Sequence, residues 1–71
     1  MSLSFGTKLR FYRTDRKLSQ FQLELETGCA FGVISRFEND KVVPTLHTIN
    51  KISSVLKLTD EEFLDVWKLF R

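Results

Sequence analysis

Apolar positions along the chain fall into five groups, most of them at the three- and four-residue spacing that places side chains on one face of an α-helix. The first group, Phe5, Leu9 and Tyr12, has basic residues between its members and predicts a helix from Phe5 to Lys17, with Ser4 at its start as N-cap. Arg16 and Lys17 then fall in the last turn, where positive charge suits the negative end of the helix dipole. Leu18, apolar in the connection, is expected to tuck under the corner. A second helix is expected from about Gln20 to Thr27, burying Leu23 and part of Phe21. Ser19 and Gln22 have the spacing of a capping box, and Gly28 stands just past the helix end, where the chain needs the positive φ that glycine adopts without a Cβ penalty. Val33, Ile34 and Phe37 predict a third helix from Ala30 or Phe31 to Asn39. Residues 19–38 thus read as helix, tight turn, helix, and the rest of the chain is arranged around them.

Beyond Asn39-Asp40, which favours a turn, Pro44 has the fixed φ suited to a first helical position. Leu46, Ile49, Ile52, Val55 and Leu56 give the fourth helix, Thr45 to Leu56, a buried stripe, with His47 off it and in solvent. Thr59 followed by Asp60, Glu61 and Glu62 forms a second capping box with three acids facing the positive helix end. The fifth helix then runs to about Phe70, carrying Phe63, Leu64, Val66, Trp67, Leu69 and Phe70, more apolar surface than a small bundle readily covers. The pattern predicts an all-α fold, a compact bundle of five short helices without strands, with Leu9, Leu23, Ile34, Phe37, Ile49, Ile52 and Leu56 in one core. One weakness stands out. Ala30 has no side-chain oxygen to cap the third helix, a loss of ~1 kcal/mol, so something else must hold that end.

Length narrows this picture to a single domain over residues 1–71, with its core in 5–58 and a C-terminal helix at about 60–70. A hydrophobic content of 42% with seven Phe and one Trp is enough for a packed core and too much for a disordered tail. The one cysteine excludes an internal disulfide, which makes a reducing compartment the simpler assumption. Cys29 reads as a small apolar residue at the turn, because one Cys and one His, Cys29 and His47, cannot supply the ligands a zinc site wants. No apolar run reaches ~18 residues and no signal-peptide pattern opens the chain, so a soluble, cytoplasmic domain with no membrane partner is expected. With three Gly and no Ser/His/acid set, metal cluster or phosphate-cradling loop, the chain is expected to be no enzyme, to bind no metal and to need no cofactor.

Net charge is only +2, but residues 1–17 carry Lys8, Arg10, Arg13, Arg16 and Lys17 against Asp15 alone. That asymmetry suits a surface meeting a polyanion on one side, or else a solvated helix face. Periodicity alone fits an ordinary αα-hairpin in a small bundle equally well.

Residue identities separate those readings. Leu18-Ser19-Gln20, Leu23, Gly28, then Ile34-Ser35-Arg36-Phe37-Glu38-Asn39, then Pro44 resemble the helix-turn-helix of the lambda-repressor-like family, Xre/Cro type, over roughly residues 6–58. The resemblance implies sequence-specific binding of double-stranded DNA by a transcriptional regulator of the repressor type, with helix 30–38 in the major groove, whose width admits an α-helix. By position, the family's base-facing residues fall on Ala30, Phe31, Gly32, Ser35 and Arg36, and Gln20 resembles its phosphate-contacting glutamine, with Asn39 and Lys41 after the third helix as matching phosphate candidates and Arg10 as a further charge. Arg36 has the geometry to pair bidentately with guanine, and Phe31 to meet a thymine methyl. Two positions depart from the family: Glu24 stands where alanine is usual, and Thr27 where an apolar residue is. Glu24 is expected to run its stem along the neighbouring helix with its carboxylate in water, or to splay the crossing.

Phe31 and Gly32 in place of polar base readers favour the rival reading, a helix-turn-helix-like protein-interaction module without DNA binding. Phe63, Trp67 and Phe70 form one helical stripe, and a homodimer through the C-terminal helix is expected, unless Trp67 simply closes the monomer core. Finally, Glu38 at the end of the third helix wants a cation, and Arg13, one turn beyond Leu9, is placed to supply it as a buried ion pair.

Overall fold

The computed structural model describes residues 4–67, and among these the chain forms α1 (Phe5–Asp15), α2 (Gln20–Thr27), α3 (Val33–Glu38), α4 (Leu46–Leu56) and α5 (Asp60–Trp67), with no strand. Side chains start four of the five helices. Ser4 accepts from the Thr7 amide, Ser19 from Gln22, Thr45 from Thr48 and Thr59 from Glu62. At Ser19 and Thr59 the box is closed, because the Gln22 and Glu62 side chains accept from the amides of Ser19 and Thr59 in return.

Three boundaries differ from the sequence pattern. α1 ends at Asp15, because Lys17 adopts a left-handed φ of 59° and the amides of Lys17 and Leu18 fold back onto the carbonyls of Thr14 and Arg13. α4 begins at Leu46, with Thr45 as its cap and Pro44 buried ahead of the helix, not at its first position as the pattern predicts. The hydroxyl of Thr45 accepts an amide bond that proline, without a polar side chain, has no means to make. α3 starts at Val33, two or three residues later than the periodicity suggests, after Gly28 at φ 72° and Gly32 at φ 85°.

One cluster of buried residues holds the helices together: Phe5 and Leu9 of α1, Leu23 of α2, Ile34 and Phe37 of α3, Ile49, Ile52 and Leu56 of α4, and Val66 and Trp67 of α5. The seven residues expected to share a core are all in it. Leu18, Val33, Val55 and Phe63 pack against it, partly buried. Leu46 does not join them. It is 69% exposed, at the first position of α4. α1 packs on α3 and α5, while α2 packs on α3 and α4, so α3 is held from two sides. The α1–α3 crossing is close enough that a Cβ on Gly6 would lie 2.5 Å from the Glu38 carbonyl oxygen and 2.6 Å from that of Phe37.

Candidate nucleic-acid interface

α2, the turn at Gly28 and α3 form a helix-turn-helix whose inner and outer sides are chemically distinct. On the inner side, Ile34, Phe37 and Glu38 of α3 are buried against α1 and α2. On the outer side Arg36 is exposed and Ser35 half-buried, with the Asn39 side-chain amide donating to the Ser35 carbonyl at 2.8 Å. Ala30 and Phe31 lie in the turn before α3, and Gly32 is its N-cap residue, so the expected helix over 30–38 is a turn followed by a six-residue helix. Phe31 is 85% exposed and stands edge-on to Phe21 of α2, with ring centroids 5.9 Å apart. Phe21, which the pattern covers in part, is 52% exposed and, with Leu25, forms an outward apolar face of α2.

The inner end of α3 is fixed by a polar network. The Arg13 guanidinium straddles the Glu38 carboxylate, Nε donating to Oε2 and Nη2 to Oε1 at 3.1 Å, with both side chains less than a tenth exposed. Its remaining nitrogen, Nη1, donates to the Leu18 carbonyl at 2.7 Å and so ties the α1–α2 corner to the end of α3. Gln20 joins from the start of α2, its Nε2 donating to Glu38 Oε1 at 3.0 Å. That bond uses one of two amide hydrogens and leaves the other for an outside acceptor. Asp40, at φ 59°, accepts from the Gly6 amide at 3.1 Å, so the residues after α3 also close the start of α1.

The other end of α3 is held by a residue whose role the sequence pattern does not reveal. Glu24 is 5% exposed, and its Oε2 accepts from the Gly32 amide at 2.8 Å and from Ile34 at 3.3 Å. Its carboxylate is therefore not in water, as expected, but turned inward onto the amides of the next helix. The signal that could have found it is the conjunction of two oddities, an uncapped helix start and a carboxylate on the preceding helix at a position facing it.

Charge is redistributed by the fold. Of the basic residues of the first 17, Lys8 meets Asp65 at 2.8 Å, Arg13 is taken by Glu38, and Arg16 reaches Glu62 at 2.8 Å and Asp15 at 3.1 Å. Arg10, Lys17, Arg36 and Lys41 have no acidic partner among the described residues. The ion pairs of Lys8 and Arg16, with the Tyr12 hydroxyl donating to Asp65 at 3.0 Å, form a polar seam that fastens α5 to α1. Desolvation and the bond to Asp65 raise the Tyr12 phenol above its ordinary value. The Thr59 amide holds the Glu62 carboxyl below its ordinary value, with Arg16 adding to the effect and partial desolvation opposing it. On the far side of this seam Trp67 is buried in the core of the same chain and donates from Nε1 to Ser53 Oγ at 2.9 Å, while Phe70 lies outside the described residues.

Among the described residues no group of three or more His, Cys, Asp or Glu is placed to hold a metal ion, and no helix is long and apolar enough to cross a membrane. Comparison with known proteins agrees with the geometry. The HTH-type transcriptional repressor RghR of Bacillus subtilis is 44% identical over 59 residues, which is 82% of this chain and 44% of that protein. A second protein of that organism, the uncharacterized HTH-type transcriptional regulator RghRB, is 39% identical over 61 residues, 84% of this chain and 44% of its own. The chain thus spans under half the length of the curated relatives it matches. No solved structure matches it. The family model described as helix-turn-helix covers residues 9–63, from the middle of α1 into α5, and the chain belongs to that family, in its lambda-repressor and Xre-like form.

Proposed function

We propose that this chain binds double-stranded DNA sequence-specifically, as the DNA-binding part of a transcriptional repressor that acts in the cytoplasm by recognition and not by catalysis. The observation that carries this reading is the two-sidedness of α3: its inner residues are locked by Arg13, Gln20 and Glu24, while Arg36 and the turn residue Phe31 project outward and Arg36 has no acidic partner among the described residues. A helix held rigidly behind and exposed in front suits insertion into a major groove. In this reading Arg36 pairs with a guanine, Phe31 meets a thymine methyl and Ser35 reaches a base edge, while the Ala30 and Gly32 backbone approaches closely. Gln20, with its second amide hydrogen, and Asn39, Lys41 and Arg10 contact phosphates and set the register. The relatives' names, a transcriptional repressor and a transcriptional regulator, support the same function.

The rival, a protein-interaction module without DNA binding, is favoured by one observation, the exposed apolar face of Phe21, Leu25 and Phe31. Fluorescence anisotropy against a pool of random duplexes at two salt concentrations separates them. DNA binding predicts an affinity that falls steeply with salt and a selectable preferred sequence. No binding at low salt would leave the protein-interaction module standing. In the DNA-binding reading two copies pair on adjacent half-sites through the C-terminal helix, where Leu64 is exposed and Trp67 is committed to its own core.

A further inference from the structure

α3 begins with no cap of its own. Its N-cap residue, Gly32, has no side chain, and the first amides of any helix lack partners within it. Glu24 fills that role from another helix. Its carboxylate accepts from Gly32 and Ile34, while its backbone carbonyl accepts from Gly28 and Cys29 at the end of α2. A single residue thus closes the helix before the turn and opens the helix after it. The cap is thus remote, supplied by Glu24 of α2, where α3 offers no side-chain cap of its own.

We propose that Glu24 is a positioning residue for DNA recognition: without touching DNA, it fixes where α3 begins and so determines how strongly a preferred site is favoured over random sequence. The inference rests on the DNA-binding reading above. Binding to random duplex draws mainly on phosphates, which Lys41 and Arg10 reach without an ordered α3 start. Reading bases from Phe31 to Arg36 requires that start to be ordered, and an uncapped end must be ordered at the moment of binding. The carboxylate also occupies the amides of Gly32 and Ile34, so these are not offered to a phosphate.

The test uses Glu24→Ala and Glu24→Gln, the second of which keeps one acceptor oxygen. For Glu24→Ala the expected result is a loss of about tenfold on a selected site, with random-duplex affinity within about twofold and faster hydrogen exchange at Ile34. Glu24→Gln should fall between Glu24→Ala and the native chain on both measures. A folded Glu24→Ala with an unchanged ratio of selected to random affinity overturns the proposal. Should that variant not fold, an unchanged ratio and unchanged Ile34 exchange in Glu24→Gln overturn it instead. If the native chain binds no duplex at all, the DNA reading fails separately. Exchange at Ile34 then decides the positioning role alone: protection retained in Glu24→Ala refutes it, and protection that disappears in Glu24→Ala and is partly kept in Glu24→Gln supports it.

Discussion

Gly6 has no room for a side chain, because the carbonyls of Phe37 and Glu38 occupy the space a Cβ would need, and both obstacles are backbone. In an open helix, alanine for glycine gains up to ~1 kcal/mol of propensity. Here the sign should reverse, and Gly6→Ala is expected to destabilise the chain by ~1 to 3 kcal/mol in urea unfolding, the usual cost of overpacking. The charged pair behind α3 carries a second prediction. Arg13 and Glu38 are both buried and bidentate, so Arg13→Met or Glu38→Gln alone should cost ~3 to 5 kcal/mol by leaving the other group unpaired. The double variant should cost less than the sum of the two. Additive losses in that cycle would mean the pair does not act as a unit. What the sequence shows of these residues differs. Arg13 follows Phe5 and Leu9 at helical spacing, so its place on the buried face can be read from periodicity. Gly6 cannot be read that way, since its need for smallness arises only when the C-terminal end of α3 is laid across α1.

At the scale of elements, most boundaries set by a local cap are legible, the start of α4 at Thr45 excepted. Ser19 with Gln22, Thr59 with Glu62, and Gly28 each act within a few residues of themselves, and α2 and the start of α5 lie where those signals put them. The start of α3 escapes the pattern because it is set by Glu24, eight residues before the Gly32 amide it accepts from, in another helix. Leu46 escapes it because periodicity reports a face and not whether a neighbour covers it. α5 lends itself to a test by acid. Glu62 has a folded pKa below its ordinary 4.5, so the carboxylate stabilises the folded state above that value and the contribution is lost as pH falls through the folded pKa. Loosening of α5, followed by Trp67 fluorescence, should therefore set in below pH 4.5, and Glu62→Gln should flatten that part of the profile while lowering stability at neutral pH. An identical acid profile in Glu62→Gln would assign the loosening to other carboxylates. Trp67→Phe keeps most of the apolar volume and removes the bond to Ser53, at an expected ~1 kcal/mol.

For the whole molecule, the fold changes what the charge pattern means. Read along the chain, the first 17 residues look like a cationic surface, yet three of their five cations hold the bundle together through Asp65, Glu38 and Glu62. The acids responsible lie 25 to 57 residues further on, so the neutralisation is invisible until α3 and α5 are docked on α1. Among the described residues the cations without an acidic partner are dispersed: Arg10 on α1, Lys17 after it, Arg36 on α3, Lys41 just beyond, Lys51 on α4 and Lys57 after it. This sorts substitutions into two kinds. Lys41→Ala and Arg10→Ala should leave unfolding nearly unchanged, weaken all duplexes alike and reduce the salt slope by ~0.9 for each phosphate no longer neutralised. Arg36→Ala should cost ~1 to 3 kcal/mol on the preferred site and relax its sequence preference, as removal of a base-reading side chain does. Lys8→Gln removes the same formal charge from the same helix as Arg10→Ala, but from the seam with Asp65. It should loosen α5 slightly and leave the salt slope of DNA binding where it was. Equal salt slopes for Lys8→Gln and Arg10→Ala, both below that of the native chain, would show that α1 acts on DNA through its total charge, and that the pairing seen in the fold does not decide which cations the DNA meets.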